Sequence, residues 1–103
     1  MKIEKCAILN FTDQIGGKWK LPIINVIRKN GLLRFGKIHQ LVEGVSRKVL
    51  TDQLKGLEQD GLIIRKQFKE IPPRVEYSLT KKAKGLIDVF EAIEKWSTTS
   101  DTE

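Results

Sequence analysis

The side chains with the clearest chemical potential lie on one predicted helix, between Ser46 and Gly61. The outward face of that helix carries five polar residues: Lys48, Thr51, Asp52, Lys55 and Gln59. Such side chains near a helix N-terminus can hydrogen-bond to base edges in a major groove, while lysines neutralise phosphates. We interpret this segment as a DNA-recognition helix, although an ordinary amphipathic surface helix would show the same pattern.

The opposite face of this helix is apolar and determines how it packs. Leu50, Leu54 and Leu57 recur at spacings of four and three, which at about 100° per residue forms a narrow stripe facing a core. Ser46 is a good N-cap because its hydroxyl can accept a hydrogen bond from a first-turn N–H. Gly61 can adopt the left-handed conformation that commonly ends a helix. Both ends of the helix are therefore predicted from single residues.

A second predicted helix precedes the recognition helix. Residues 36–42 place Ile38, Leu41 and Val42 inward, and residues 43–45 form a tight turn that contains a glycine. Two helices joined by such a turn are the helix-turn-helix arrangement.

A β-hairpin is predicted directly after Gly61. Residues 62–68 and 74–79 alternate β-branched or aromatic side chains with polar ones, as a half-buried hairpin requires. Pro72 and Pro73 cannot donate ladder hydrogen bonds, so the tip between the strands projects. Four cations surround the hairpin: Arg65, Lys66, Lys69 and Arg74. We interpret it as a wing that lies over phosphates or reaches a minor groove. The alternative is a plain exposed hairpin whose charges oppose aggregation.

The predicted DNA contacts fall into two sets. Base-edge contacts are expected from Lys48, Thr51 and Lys55. Phosphate or minor-groove contacts are expected from Arg47, Lys66, Lys69 and Arg74.

Two of these side chains have open alternatives. Asp52 could accept from a cytosine amine, or it could pair with a lysine one helical turn away, which is the commoner outcome. Arg74 could contact DNA, or it could hold the wing together through a carboxylate such as Glu76 or Glu58.

The first half of the chain predicts three further elements. Residues 7–15 form a short helix, residues 18–29 form a largely buried second helix, and residues 32–34 form a minimal strand. Pro22 would remove a backbone hydrogen bond if it lay beyond the first turn of the second helix. We therefore expect a kink there, or a late start near residues 19–20.

A final helix is predicted over residues 81–97, with Thr80 as its cap. Its apolar residues form two adjacent stripes: Ala83, Leu86, Ile87, Phe90 and Ile93 on one, Val89, Ala92 and Trp96 on the other. Two stripes exceed what one small core needs, so the surplus face indicates packing against a second subunit. Residues 1–5 are expected to be a loose arm and residues 98–103 a disordered tail.

Composition sets the broad class. A length of 103 residues fits one domain, and 19 Lys and Arg against 13 Asp and Glu leave a net charge of +6, which favours polyanionic partners. Half of that net charge lies in residues 46–75. No apolar run approaches the ~20 residues needed to span a bilayer, and the N-terminus lacks a signal core. We expect a cytoplasmic protein without a membrane partner.

Residues for catalysis or metal binding are sparse. Cys6 and His39 are the single cysteine and histidine, so no Cys/His cluster for zinc is possible. The sequence also lacks a glycine-rich phosphate loop and a nucleophile with an evident base. No enzyme activity, metal or cofactor is predicted, and His39 is interpreted as a solvated or hydrogen-bonded side chain.

Four motifs in order give a resemblance that extends from about Cys6 to Trp96. They are residues 15–19 (IGGKW), 44–46 (GVS), 54–62 (LKGLEQDGL) and 72–80 (PPRVEYSLT). Together they resemble the HxlR family, small bacterial winged-helix transcription regulators related to the MarR type. The resemblance implies a mainly α fold with a small β-hairpin, in which flanking terminal helices build a homodimer that binds a palindromic operator. Pro22 departs from the apolar residue expected in the family's second helix.

The same resemblance gives Cys6 a candidate role. It matches the place, ahead of the first helix, where some members carry a thiol that senses electrophiles or oxidants, although Ala7 stands where members often have proline. Lys2 and Lys5 are close in sequence and could stabilise a thiolate. The alternative is a small apolar residue packed in the dimer interface.

Two functions are therefore considered. The leading hypothesis is a sequence-specific DNA-binding regulator that acts as a homodimer, with Cys6 as a candidate sensor of a thiol-reactive effector. The alternative is a winged-helix module that binds protein through its apolar last helix, because a fold does not fix a function.

Overall fold

The structure, a computed structural model, describes residues 6–99. The expected arm at residues 1–5 and residues 100–103 of the expected tail lie outside that range. The elements in chain order are α1 (Ala7–Ile15), α2 (Lys20–Asn30), β1 (Leu32–Arg34), α3 (Phe35–Leu41), α4 (Arg47–Gln59), β2 (Ile63–Phe68), β3 (Arg74–Leu79), α5 (Lys81–Lys84) and α6 (Ile87–Thr99).

The strands form one small antiparallel sheet in the order β1-β3-β2. Tyr77 at the centre of β3 pairs with Leu33 on one side and with Arg65 on the other. Because side chains alternate along a strand, these three share the face that packs against the helices. The mainly α winged helix-turn-helix predicted from the sequence is confirmed, and β1 extends the predicted hairpin to three strands.

The core is built from one stripe of each central helix and the inner face of the sheet. Its fully buried large side chains come from α2, α3 and α4: Ile23, Ile24, Ile27, Ile38, Leu50, Leu54 and Leu57. Burying a side chain of this size contributes about 1.5–3 kcal/mol. The three leucines hold α4 against the core by one face, which leaves its polar face directed outward.

Helix α2 starts late, which is one of the two outcomes expected from the position of Pro22; the other was a kink. The helix begins at Lys20, so Pro22 is its third residue and belongs to the first turn. An N–H at that position has no partner within a helix, so proline removes nothing there. The first regular bond follows immediately, from the Ile23 N–H to the Trp19 carbonyl at 3.0 Å.

The prediction of one continuous helix over residues 81–97 is wrong. The segment breaks at Gly85 into α5 and α6, because glycine is a weak helix former. The N–H groups of Gly85 and Leu86 instead bond three residues back, to Lys82 and Ala83 at 3.2 and 2.9 Å. Helix α6 then continues to Thr99, so Thr98 and Thr99 are helical although they were assigned to the tail.

The two flanking helices, α1 and α6, leave large apolar side chains exposed. They are Ile8 and Leu9 on α1, and Val89, Ile93 and Trp96 on α6. Trp96 is 71% exposed, far more than a core residue would be. Within residues 6–99, no helix combines the length and apolarity needed to cross a bilayer.

Candidate nucleic-acid interface

The two ends of α4 are fixed by Ser46 and Gly61, the residues from which its ends were predicted. The Ser46 hydroxyl accepts a hydrogen bond from the Val49 N–H at 3.1 Å. At the other end Gly61 has φ +76°, and the Leu62 N–H bonds back to the Leu57 carbonyl at 2.9 Å, the six-to-one bond of a Schellman motif. The orientation of the polar face is therefore set from both ends.

Thr80 joins α4, the hairpin and α5 at one point. Its hydroxyl donates to the Gly61 carbonyl at 2.7 Å and accepts from the Ala83 N–H at 3.1 Å. Its own N–H donates to the Leu62 carbonyl at 3.1 Å. The end of the recognition helix and both ends of the hairpin are thereby tied together.

The predicted base-edge residues lie on α4 as expected from their spacing. Lys48 and Lys55 are exposed, and Thr51 is half-buried with its hydroxyl donating to the Arg47 carbonyl at 2.8 Å. Lys48 Nζ lies 3.1 Å from a carboxylate oxygen of Asp52, which is the pairing considered from the sequence. An exposed pair of this kind contributes about 0.3–0.5 kcal/mol, so Lys48 can exchange Asp52 for another anion at little cost.

A cleft of about 350 Å³ opens between the outer side of α4 and the sheet. Its lining includes Lys55 and Glu58 of α4 and Arg65 of β2. Arg65 was counted among the wing cations but was not assigned a contact. Its place two residues after the buried Ile63 could have revealed that it faces α4, because residues i and i+2 of a strand share a face.

Arg47 at the start of α4 is placed by an aromatic ring of α3. Its guanidinium carbon lies 5.6 Å from the centroid of the Phe35 ring, within reach of a cation–π contact. His39 stacks on the same ring at 6.4 Å between centroids, so it is a packed side chain of the helix-turn-helix.

Arg74 is held by three side chains of its own hairpin. One guanidinium nitrogen lies 2.9 Å from a carboxylate oxygen of Glu70, and Nε lies 3.2 Å from Glu76, although not at a hydrogen-bonding angle. The guanidinium also lies 4.0 Å from the centroid of the Phe68 ring. The side chain is only 26% exposed. These contacts favour the alternative in which Arg74 holds the wing, with Glu76 rather than Glu58 as its neighbour.

The remaining wing cations are accessible. Lys66 and Lys69 are both exposed, and Lys66 Nζ lies 5.1 Å from the centroid of the Phe68 ring. Between the strands the tip carries Ile71, which is fully exposed, followed by a cis peptide bond to Pro72. The outer part of the wing therefore presents Lys66, Lys69 and the apolar side chain of Ile71 to its surroundings.

Cys6 is the N-cap residue of α1. Its thiol is exposed, and the sulfur accepts a hydrogen bond from the Leu9 N–H at 3.5 Å. Lys2 and Lys5, considered as neighbours that could stabilise a thiolate, lie outside the described residues. In the part of the chain that the structure describes, no three His, Cys, Asp or Glu side chains are grouped as a metal site.

Comparison with known proteins places this arrangement among transcription regulators. Residues 14–103 match the family model described as HxlR-like helix-turn-helix. A protein of Fusobacterium mortiferum described as the regulatory protein MalR is 40% identical over 92 residues, covering 89% of this chain and 87% of MalR. A MarR-family transcriptional regulator from Porphyromonas gingivalis W83 superposes with a TM-score of 0.85 at 36% identity, covering 95% of each chain. The redox regulator HypR in its oxidised form superposes with a TM-score of 0.83 at 32% identity, covering 95% of this chain and 99% of HypR.

Proposed function

The chain belongs to the HxlR-like helix-turn-helix family of transcription regulators, and we propose that it binds DNA sequence-specifically as a homodimer on a palindromic operator. Its relatives are regulators rather than enzymes. The observation that carries the proposal is the outward polar face of α4, which lies beside a wing with two exposed lysines.

Helix α4 reads base edges in the major groove. Lys48, Thr51 and Lys55 lie at spacings of three and four on its outward side, so one groove can receive all three. Lysine suits the acceptor atoms of guanine, and the threonine can contact a base edge by its hydroxyl or its methyl group. Asp52 releases Lys48 readily, because their ion pair is exposed to water.

Phosphates are contacted on both sides of that groove. Arg47 approaches from the N-terminus of α4, while Lys66 and Lys69 approach from the wing. Arg74, the remaining cation of the predicted set, supports the wing through Glu70 and Glu76 and contacts DNA less directly. Such contacts position the protein and carry no sequence information themselves.

A twofold dimer forms through the flanking helices. The exposed apolar side chains on α1 and α6 include Leu9, Ile93 and Trp96, and burying them against a second copy would be favourable. A twofold axis would place two copies of α4 in successive major grooves, about 34 to 36 Å apart. The operator is accordingly palindromic.

Cys6 makes DNA binding responsive to thiol-reactive compounds. The support is its exposed thiol at the start of α1 and the likeness to HypR, which is described as a redox regulator. Treatment with a thiol-reactive electrophile is expected to change operator affinity in the native chain and to leave the Cys6→Ser variant unchanged. An equal response of the two proteins would refute the role of Cys6.

The DNA-binding proposal is tested by the salt dependence of binding. Duplexes are first selected from random DNA, and affinity for the selected consensus is then measured between 50 and 200 mM salt, a range in which phosphate contacts are strongly resolved. The slope of log K against log salt is negative, and each lost phosphate contact reduces its magnitude by about one unit. The triple variant Lys48→Ala, Lys66→Ala, Lys69→Ala is expected to lower it by about two to three units.

Lys84→Ala is the matched control, since Lys84 is exposed on α5 and lies beside Ile64, Ser78 and Leu79 at the base of the hairpin, at the opposite end from the wing tip. It removes one positive charge and is expected to leave the slope unchanged. An unchanged slope for the triple variant would contradict the proposed interface. Equal and weak affinity for all duplexes, together with a stable heteromeric partner, would favour the protein-binding alternative instead.

A further inference from the structure

The tip of the wing exposes an isoleucine where a hydrated loop would normally carry polar residues. Ile71 is 101% exposed, more than any other large apolar side chain among residues 6–99. Five of the other exposed large apolar residues lie on the flanking helices, where the proposed second subunit would cover them. The remaining three, Leu32, Leu41 and Ile64, are at most half exposed. Ile71 lies instead at the far end of the hairpin, between Glu70 and Pro72, and needs a different explanation.

The tip is fixed on both sides. The Glu70 N–H donates to the Phe68 carbonyl at 3.0 Å, and the Glu70 carboxylate pairs with Arg74 at 2.9 Å. Pro72 and Pro73 restrict the backbone on the other side, because each ring fixes φ. A preorganised tip loses little conformational entropy when it binds, so Ile71 is presented like a rigid probe.

We propose that Ile71 is an apolar wedge that enters the minor groove beside the recognition helix and partly unstacks one base step. The inference rests on the proposed DNA-binding function and adds a residue and a mode of contact to it. Isoleucine is among the side chains that proteins insert between base steps, and insertion kinks the duplex.

The surroundings of Ile71 favour DNA over a protein surface. Lys69 is exposed two residues before it and, within residues 6–99, forms no ion pair, so its charge is available for the phosphates that line a groove. Lys66 adds a second cation on the same hairpin. The one acidic residue of the tip, Glu70, is paired with Arg74 at 2.9 Å, which, among the described residues, leaves the lysines as the unpaired charges beside Ile71. An apolar tip with such cations near it fits a groove whose walls are anionic and whose floor is stacked bases.

A wedge predicts both a bend and a sequence preference. Pyrimidine–purine steps, TA and CA/TG, unstack most easily, so they should be enriched where the wing tip meets the operator. Because the operator is palindromic, the enrichment should appear symmetrically on both flanks. The base contacts that α4 makes in the major groove do not depend on the Ile71 wedge.

The test compares the native chain with Ile71→Ala, Ile71→Lys and the control Ile64→Ala. Ile64 is 48% exposed on the same hairpin but lies on β2, away from the tip. Duplex selection gives the preferred steps, energy transfer between labelled duplex ends gives the bend, and titration gives the affinity. Thermal unfolding establishes that all four proteins are equally folded.

Ile71→Ala is expected to weaken operator binding about 15- to 60-fold, from the loss of two to three buried carbons, and to abolish the flanking step preference and the bend. Ile71→Lys should add about one unit to the salt slope and still fail to bend the duplex. Ile64→Ala should behave like the native chain.

The outcomes separate the wedge from the wider proposal. Suppose that the native chain selects a consensus and that Ile71→Ala shows the same bend and the same flanking preference. This result would overturn the wedge and leave the DNA-binding function standing. Failure of the native chain to select any consensus would overturn both.

Discussion

Replacing Arg74 separates structural support of the wing from direct contact with DNA. The guanidinium lies against two carboxylates and the Phe68 ring and is only 26% exposed. Arg74→Ala removes all three interactions and leaves Glu76, whose side chain is 16% exposed, without its neighbour. We expect this variant to be destabilised while its salt slope stays close to that of the native protein.

The magnitude follows from the three contacts. Each partly screened ion pair contributes about 0.5–1 kcal/mol, and the cation–π contact contributes about 1 kcal/mol. The free energy of unfolding should therefore fall by roughly 2–3 kcal/mol, which for a domain of this size lowers Tm by roughly 10 °C. Arg74→Lys keeps the charge but lacks the planar fork that serves two carboxylates and a ring together, so it should recover less than half of the loss.

The assay pairs thermal unfolding followed by circular dichroism with the salt dependence of operator affinity. Lys66→Ala is the control on the same hairpin, because Lys66 is exposed and is proposed to contact phosphate. It should leave Tm within about 2 °C and lower the slope by about one unit. The reverse result, a native Tm and a reduced slope for Arg74→Ala, would refute the assignment of Arg74 as a support.

Two further predictions concern stability and assembly. Ser46→Ala removes the hydroxyl that accepts from the Val49 N–H and should lower the free energy of unfolding in urea by about 1 kcal/mol; an unchanged midpoint would contradict its role as a cap. Trp96→Glu places a charge on the exposed apolar face of α6 and should shift the protein to monomer in sedimentation velocity without lowering its helix content. A dimer that persists in this variant would move the proposed interface elsewhere.

The elements that the sequence predicts well are those set by local chemistry. A capping serine and a left-handed glycine bracket α4, and the change from helical to strand periodicity marks the hairpin. The break at Gly85 was missed because the apolar stripe of the last helix runs through it without interruption. Periodicity averages over many residues and barely registers one weak helix former.

The candidate site is predictable as a face but less so as a set of contacts. Spacing alone places Lys48 and Lys55 on the outside of α4. The contacts of Arg74 depend on how side chains meet within a folded hairpin, which the linear sequence leaves open. The sequence predicts that the tip projects, but Ile71 was not singled out there, because an apolar residue is ordinarily assigned to the interior. The structure shows its side chain fully exposed.

The knot of hydrogen bonds at Thr80 has a mechanical consequence. One hydroxyl and one amide join the last turn of α4 to the base of the hairpin, so we expect the two elements to move together. In a dimer, the recognition helix and the wing of each subunit would then bind one half-site as a rigid unit. An effector that weakens DNA binding would have to change the distance or angle between the two subunits. A displacement of a flanking helix such as α6 would do so.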